Sequence, residues 1–168
     1  MFTIHTTQTA PEGSRAALAA LERNIGFVPN LAATIAGAPA ALTGFVALQT
    51  ALRGSRLTAL EREVVGLTVS RLNECAYSLA AHSRFAAAAG GSPEIVAALR
   101  AGEPLAEPRL RALQAFTETV IRERGHVDAD LDPETALEVI TQIAYTTFAN
   151  YAADVSGVPV DDAFAALV

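Results

Sequence analysis

Four side chains that can move protons or electrons stand at fixed spacing in one stretch of the chain, as Glu63-x11-Cys75-x2-Ser78-x3-His82. On an α-helix, positions 75, 78 and 82 lie at about 0°, 300° and 340° around the axis, so the last three share one face. An oriented histidine can act as a general base near neutral pH, and a cysteine thiolate is a nucleophile. These four residues form the candidate catalytic site.

Glu63 can join this site only if the chain reverses direction. In one continuous helix its carboxylate would lie about 18 Å from Cys75, at roughly 1.5 Å per residue. We therefore expect a helical hairpin with its turn between Leu72 and Glu74. We also expect Asn73 to cap the second helix, which would place the thiol in its first turn and lower the thiol pKa through the helix dipole.

Residue patterns typical of helix ends recur along the whole chain. Thr58 and Glu61 have the spacing of a capping box, and Ser92-Pro93-Glu94 and Asp132-Pro133-Glu134 are typical helix starts. Between these signals the apolar residues repeat with a helical period, and strand-like alternation is confined to residues 1–6. The sequence predicts an all-α fold in a single domain over residues 1–168. The expected helices are 11–24, 40–53, 58–72, 74–89, 93–101, 107–124 and 133–153, with a short one after Pro159.

Composition excludes several classes of function. The 168 residues include 51% hydrophobic and 18% charged residues, with a net charge of −6. All twelve basic residues are arginines, scattered singly, so no nucleic-acid partner is expected. The uncharged stretch 24–52 is broken by proline and glycine, which argues against a membrane span. A single cysteine excludes an internal disulfide and a cysteine-based zinc site, and it suits a cytoplasmic location. We expect neither a metal nor a cofactor.

The Glu-x11-Cys-x2-Ser-x3-His pattern resembles the alkylhydroperoxidase D-like (AhpD-like) branch of the carboxymuconolactone decarboxylase superfamily, whose usual motif is Glu-x11-Cys-x2-Cys-x3-His. The resemblance extends over nearly the whole chain. It implies an all-helical bundle that assembles into homo-oligomers, with the Cys-x2-Ser-x3-His segment at the start of a core helix. Further similar stretches are residues 26–31, 80–83, 101–105, 124–127 and 150–151, leading to 159–161.

The same resemblance implies a peroxidase mechanism with one altered residue. Relatives reduce hydroperoxides with a thiol pair, and a Glu–His–water relay removes the proton. Glu63 matches the relay acid, His82 the relay base and Cys75 the first cysteine, but Ser78 occupies the attacking position. A serine cannot form a sulfenic acid or a disulfide, so turnover would need an external thiol or dithiol reductant, or a disulfide between subunits.

Three functions from different classes follow from these residues. The first is a peroxidase-related thiol oxidoreductase acting on a small hydroperoxide through Cys75, with an impaired or altered site. The second is an acid–base enzyme that uses Glu63 and His82 without the thiol, as the decarboxylase side of the superfamily suggests. The third is a non-catalytic oligomer, in which Cys75 is a small buried residue and His82 is structural. A serine hydrolase is disfavoured because no nucleophile-elbow pattern surrounds Ser78.

Two further expectations concern residues outside the motif. Asn150 lies in an apolar helix, so it either satisfies a buried polar group or lines the pocket. The stretch 24–52 and the helix ending near Tyr151 carry more apolar surface than a chain of this length plausibly buries, which predicts a homo-oligomer.

Overall fold

The computed structural model describes residues 2–128 and 130–165, and within these ranges the chain forms nine α-helices and no strand. The all-α prediction is confirmed. Residues 2–6, where alternation is strand-like, have no regular structure. The helices are α1 (Glu12–Ile25), α2 (Asn30–Ile35), α3 (Pro39–Arg53), α4 (Ala59–Leu72), α5 (Ala76–Ala88), α6 (Pro93–Ala101), α7 (Pro108–Arg122), α8 (Pro133–Ser156) and α9 (Asp162–Ala165).

The helix boundaries follow the capping chemistry of the sequence. At the start of α4, the Thr58 hydroxyl accepts from the Glu61 N–H at 3.2 Å, and the Glu61 carboxylate accepts from the Thr58 N–H at 2.7 Å. Ser92 and Asp132 likewise cap α6 and α8 through their side chains. Because these caps satisfy N–H groups that the first turn leaves free, they define where each helix begins.

Two boundaries differ from the prediction. Helix α2 was not expected, since its six residues are too few to show a helical period. Helix α5 begins at Ala76, so Cys75 is its N-cap, whereas Asn73 is the C-cap of α4. The prediction that Asn73 caps the second helix is therefore wrong.

Helix α4 lies at the centre of the bundle, packed against α5, α6, α7 and α8. Every residue from Val64 to Ser70 is buried, so α4 is enclosed on all sides. Two hydrophobic clusters flank it. One is rich in aromatic rings and joins α1, α2, α3, α5, α8 and α9, and the other consists mainly of Leu, Val and Ile from α4, α6, α7 and α8. The α4–α5 hairpin contributes to both clusters, so it is held on two sides.

Within the described ranges, no helix is long and apolar enough to span a membrane.

Candidate functional site

The turn between α4 and α5 reverses the chain within three residues. Glu74 has a left-handed backbone with φ of 55°. The Cys75 N–H donates to the Ser70 carbonyl at 3.0 Å, and the Glu74 N–H donates to the Arg71 carbonyl at 3.1 Å. This pair of hydrogen bonds is the Schellman arrangement that commonly ends helices. The expected turn is present, and it folds α5 back along α4.

The hairpin brings Glu63 and His82 into contact. Nδ1 of His82 lies 2.6 Å from Oε2 of Glu63. An ionised carboxylate only accepts hydrogen bonds, so Nδ1 is the donor in this contact and Nε2 is the ring nitrogen that can exchange a proton with a ligand. Within residues 2–128 and 130–165, Nε2 has no hydrogen-bond partner. The pair therefore has the geometry of an oriented general base.

Gly66 makes room for this imidazole. A Cβ atom on Gly66 would lie 2.6 Å from both Cε1 and Nδ1 of His82, well inside van der Waals contact. Glycine costs about 1 kcal/mol relative to alanine in a helix interior. Its presence in the buried centre of α4 is explained by the close approach of the His82 ring.

Two adjoining cavities open around His82. The inner cavity is about 70 Å³ and largely apolar, with Ser78 and His82 among its few polar linings. The outer cavity is about 340 Å³ and more polar, and Arg53, Arg62 and Glu63 line it. Both are lined by His82, Phe85, Ile25, Gln49 and Tyr145. The imidazole thus lies at the junction of a small apolar space and a larger polar one.

Cys75 lies apart from these cavities. Its side chain is fully buried, and it lines neither the inner nor the outer cavity as the described residues outline them. Burial is the largest cause that raises the thiol pKa, and Asp154 adds to it, while hydrogen bonds with Ser78 oppose it only in part. The expectation that the helix start lowers the pKa of Cys75 is wrong, because desolvation outweighs the dipole.

Asn150 satisfies buried polar groups around the turn. Its side-chain oxygen accepts from Nδ2 of Asn73 at 2.9 Å, and its Nδ2 donates to the Ser70 hydroxyl at 3.3 Å. Its backbone carbonyl accepts from the Cys75 thiol at 3.7 Å. Of the two roles considered for Asn150, the structure shows the structural one. Asn150 ties α8 to both sides of the α4–α5 turn.

Glu63, Ser78 and His82 thus line the cavities, whereas Cys75 is buried and lines neither of them. No group of three or more His, Cys, Asp and Glu side chains in the described ranges is arranged to hold a metal ion.

Comparison with known proteins shows a family similarity. The model of the carboxymuconolactone decarboxylase family matches residues 38–119, a range that contains the α4–α5 hairpin and all four candidate residues. Over these residues, just under half of its length, the chain is similar to that family. No curated protein matches it.

Solved structures establish that the fold is AhpD-like. A peroxidase-related protein with an alkylhydroperoxidase AhpD core, from Ralstonia eutropha JMP134, has a TM-score of 0.86 and 23% identity, covering 97% of this chain and 93% of that one. A peroxidase-related protein from Silicibacter sp. TM1040 has a TM-score of 0.80 and 20% identity, with coverages of 94% and 89%. A Cys-to-Ala variant of the debrominase Bmp8, in complex with 2,3,4-tribromopyrrole, has a TM-score of 0.77 and 18% identity, with coverages of 93% and 89%.

Sequence reasoning missed several residues of this candidate site. Tyr145 lines both cavities and stacks on Phe45 with ring centroids 4.7 Å apart, and Gln49 donates to its hydroxyl at 3.2 Å. Burial, and then the nearby Glu63 charge, raise the pKa of Tyr145, so the phenol stays protonated. A glycine inside a strong helical pattern was the one available signal for Gly66.

Proposed function

We propose that this chain is an acid–base enzyme that transfers a proton within a small molecule bound beside His82. The observation that carries the proposal is the 2.6 Å contact between Glu63 and His82, at the junction of two cavities that the thiol does not reach. A thiol mechanism needs an accessible sulfur, whereas proton transfer needs only the imidazole and its carboxylate.

In this proposal Nε2 of His82 takes a proton from the substrate, and the ring becomes an imidazolium. The Glu63 carboxylate stabilises that charge through Nδ1–H and holds the ring in position. The imidazolium exchanges this proton with solvent and then returns a proton to a different atom of the substrate, which leaves the enzyme unchanged. The Ser78 hydroxyl lines the inner cavity and can donate a hydrogen bond to the substrate anion.

The outer cavity indicates the class of substrate. Arg53 and Arg62 line it together with Glu63, and guanidinium groups bind carboxylates well. A C–H bond beside a carbonyl group is acidic enough for a histidine base to remove its proton. We propose a small oxo-carboxylate, with the carboxylate in the outer cavity and the acidic carbon beside His82.

Deuterium exchange tests this function. Small 2-oxo and 3-oxo carboxylates are incubated with the protein in D₂O, and loss of the C–H signal is followed by NMR. We expect exchange with at least one compound, lost in His82→Gln and kept in Cys75→Ala. Exchange that disappears in Cys75→Ala while His82→Gln remains active would contradict the proposal.

A second candidate is the peroxidase-related thiol oxidoreductase, favoured by the hydrogen bonds that the Ser78 side chain and backbone make with the Cys75 sulfur. There the Cys75 thiol loses its proton, and the thiolate attacks a hydroperoxide and breaks its O–O bond. The alkoxide takes up that proton and leaves as an alcohol, and a sulfenic acid forms. An external thiol or dithiol, as a reducing cytoplasm supplies, then reduces the sulfenic acid to thiol and water.

Ser78→Cys tests this second candidate, because position 78 lines the inner cavity and Cys75 is one turn away. If the inherited peroxidase site is otherwise intact, peroxide should convert the two thiols to a disulfide, and a dithiol donor should support turnover that depends on His82. If both thiols are accessible and neither a disulfide nor turnover appears, this candidate fails.

We also propose that the partner of this chain is a second copy of itself. Large apolar side chains on α8 are exposed, among them Leu137, Ile140, Phe148, Tyr151 and Val155. Leu137 and Phe148 are eleven residues apart, as are Ile140 and Tyr151. An eleven-residue repeat corresponds to about 3.67 residues per turn, so the apolar stripe runs nearly straight along the helix.

Light scattering at micromolar concentration tests the assembly. We expect a dimer or larger species, dissociated by Tyr151→Glu and unaffected by Thr119→Glu on the exposed side of α7. A monomeric wild-type protein would contradict the proposal. A homo-oligomer without activity towards any oxo-carboxylate or hydroperoxide would instead favour the non-catalytic hypothesis.

A further inference from the structure

The last described segment of the chain, residues 159–165, contributes Phe164 to the lining of the inner cavity, and we call this segment the C-terminal strap. It carries α9 and the Phe164 ring, which is 2% exposed. The Phe164 ring centroid lies 5.4 Å from that of Phe85, 5.6 Å from that of Phe27 and 6.1 Å from that of Tyr77. Phe164 also lines the inner cavity, so its ring is part of the cavity wall.

A buried carboxylate fixes the strap in this position. Oδ2 of Asp161 accepts from the Tyr77 hydroxyl at 2.6 Å, and Oδ1 accepts from the Asn30 N–H at 3.0 Å. Nδ2 of Asn30 donates to the Pro159 carbonyl at 3.2 Å. Asp161 itself is only 7% exposed. A buried carboxylate with charge-assisted hydrogen bonds to two different elements is strongly constrained, so the strap is a fixed part of the wall.

The volume of the inner cavity limits what can enter it. An apolar cavity of roughly 150 Å³ binds benzene, whereas this one is about 70 Å³. It has room for a group of a few carbon atoms and none for an aromatic ring. Phe164 lines the inner cavity and not the outer one, so removing its ring would enlarge the inner cavity without changing Glu63, Ser78 or His82.

We propose that the inner cavity binds the compact apolar end of the substrate, and that Phe164 on the C-terminal strap sets the upper limit on its size. This inference rests on the proposed function in one respect, namely that the site around His82 binds a small molecule. The substrate is then a molecule with an anionic group at one end and a short aliphatic group at the other. Phe164 is a specificity-determining residue and takes no part in proton transfer.

Benzene binding tests this without relying on catalysis. Phe164→Ala is compared with wild type and with Phe116→Ala, which removes the same atoms from the aliphatic cluster, away from the cavity. We expect benzene to bind Phe164→Ala at least tenfold more tightly than wild type, raising its thermal midpoint and shifting the amide signals of residues 77–85. Wild type and Phe116→Ala should show neither effect.

Phe164→Leu provides a second variant if the alanine variant does not fold. It retains an apolar side chain on α9 and should bind benzene more tightly than wild type by a smaller factor. If a folded Phe164→Leu or Phe164→Ala protein binds benzene no more tightly than wild type, the inference is overturned.

The outcome is separable from that of the proposed function. Tighter benzene binding by Phe164→Ala, with no deuterium exchange in any variant, would reject the proton-transfer function and leave the size limit standing. Where exchange does occur, Phe164→Ala should raise kcat/KM for a phenyl-bearing oxo-carboxylate at least tenfold relative to a methyl-bearing one. An unchanged ratio would overturn the role of Phe164 in specificity.

Discussion

Polar groups lie at the start of helix α5 and again two turns later. The two places differ in how many of these groups have a hydrogen-bond partner within the protein. At the start, the Cys75 thiol and the Asn150 side chain are bonded to neighbouring protein groups and fully buried. Two turns later, His82 has Glu63 on one ring nitrogen, and its ring lines two cavities.

The difference separates residues that hold the fold from residues available for chemistry. Buried polar groups with every partner inside the protein stabilise one arrangement and offer nothing to a ligand. An oriented base with one nitrogen unpartnered and a cavity beside it is available for a reaction. Both environments lie in one sequence motif, so the motif alone does not say which of its members are reactive.

The largest expected effect separates the two environments directly. His82→Gln should lower kcat/KM for proton transfer by about 10²–10⁴-fold, the usual contribution of a general base. Cys75→Ala should leave it within about threefold of wild type when normalised to folded protein. Steady-state kinetics on the deuterium-exchange substrate measure both values. Equal losses in the two variants would contradict the division into a reactive His82 and a structural Cys75.

Asn150→Ala should affect stability instead of chemistry. It leaves the half-buried Asn73 amide and the buried Ser70 hydroxyl without their partner, and an unsatisfied buried group costs about 1–3 kcal/mol. We expect the free energy of unfolding in urea to fall by about 2–4 kcal/mol, with activity per folded molecule retained. A loss below about 1 kcal/mol would show that water replaces the amide.

Gly66→Ala should displace the His82 ring, because the new Cβ would lie 2.6 Å from two ring atoms. We expect kcat/KM to fall at least tenfold, since a base moved by even 1 Å loses much of its effect. The matched control is Gly44→Ala in α3, where a Cβ meets no atom within 4 Å. Gly44→Ala should be more stable than wild type by up to about 1 kcal/mol, with unchanged activity. Equal activity in both variants would show that the close approach of the His82 ring does not require a glycine at position 66.

The smallest effect concerns the thiol itself. Burial raises the pKa of Cys75, so alkylation by iodoacetamide should be slow at pH 7 and should accelerate only above the range of an ordinary thiol, about pH 8.5. Unfolding in guanidinium should restore the ordinary rate. In Ser78→Cys, one thiol should react much faster than Cys75, and rapid labelling of the wild-type protein at pH 7 would contradict its burial.

Much of the fold and part of the site could be predicted from the sequence. Local signals carried these predictions: the capping box at Thr58, the proline-led helix starts, and the motif spacing that required a turn before Cys75. The turn was foreseeable because only a hairpin lets Glu63 approach His82. Its left-handed residue was not, because Glu74 is of a type that seldom adopts that conformation.

The features that were missed depend on contacts between distant parts of the chain. Burial of Cys75 results from packing by α8, and a local dipole argument does not include that desolvation. The cavities depend on how α1, α3, α8 and the C-terminal strap meet, and Phe164 shows no periodic pattern from which its place could be inferred. Tertiary packing, which one sequence does not display, decides these points.

The hydrogen bonds from Asp161 also bear on how the chain folds during synthesis. Asn30 and Asp161 are separated by 131 positions, among the longest separations of any hydrogen bond in the described protein. Contacts of such high sequence separation form late, because the intervening loop must close before they contribute. On the ribosome, the α4–α5 hairpin can form while the cavity still lacks the wall contributed by Phe164. The proposed binding site is therefore completed only after α9 has been translated, so a nascent chain can bring Glu63 and His82 together before the inner cavity has all of its walls.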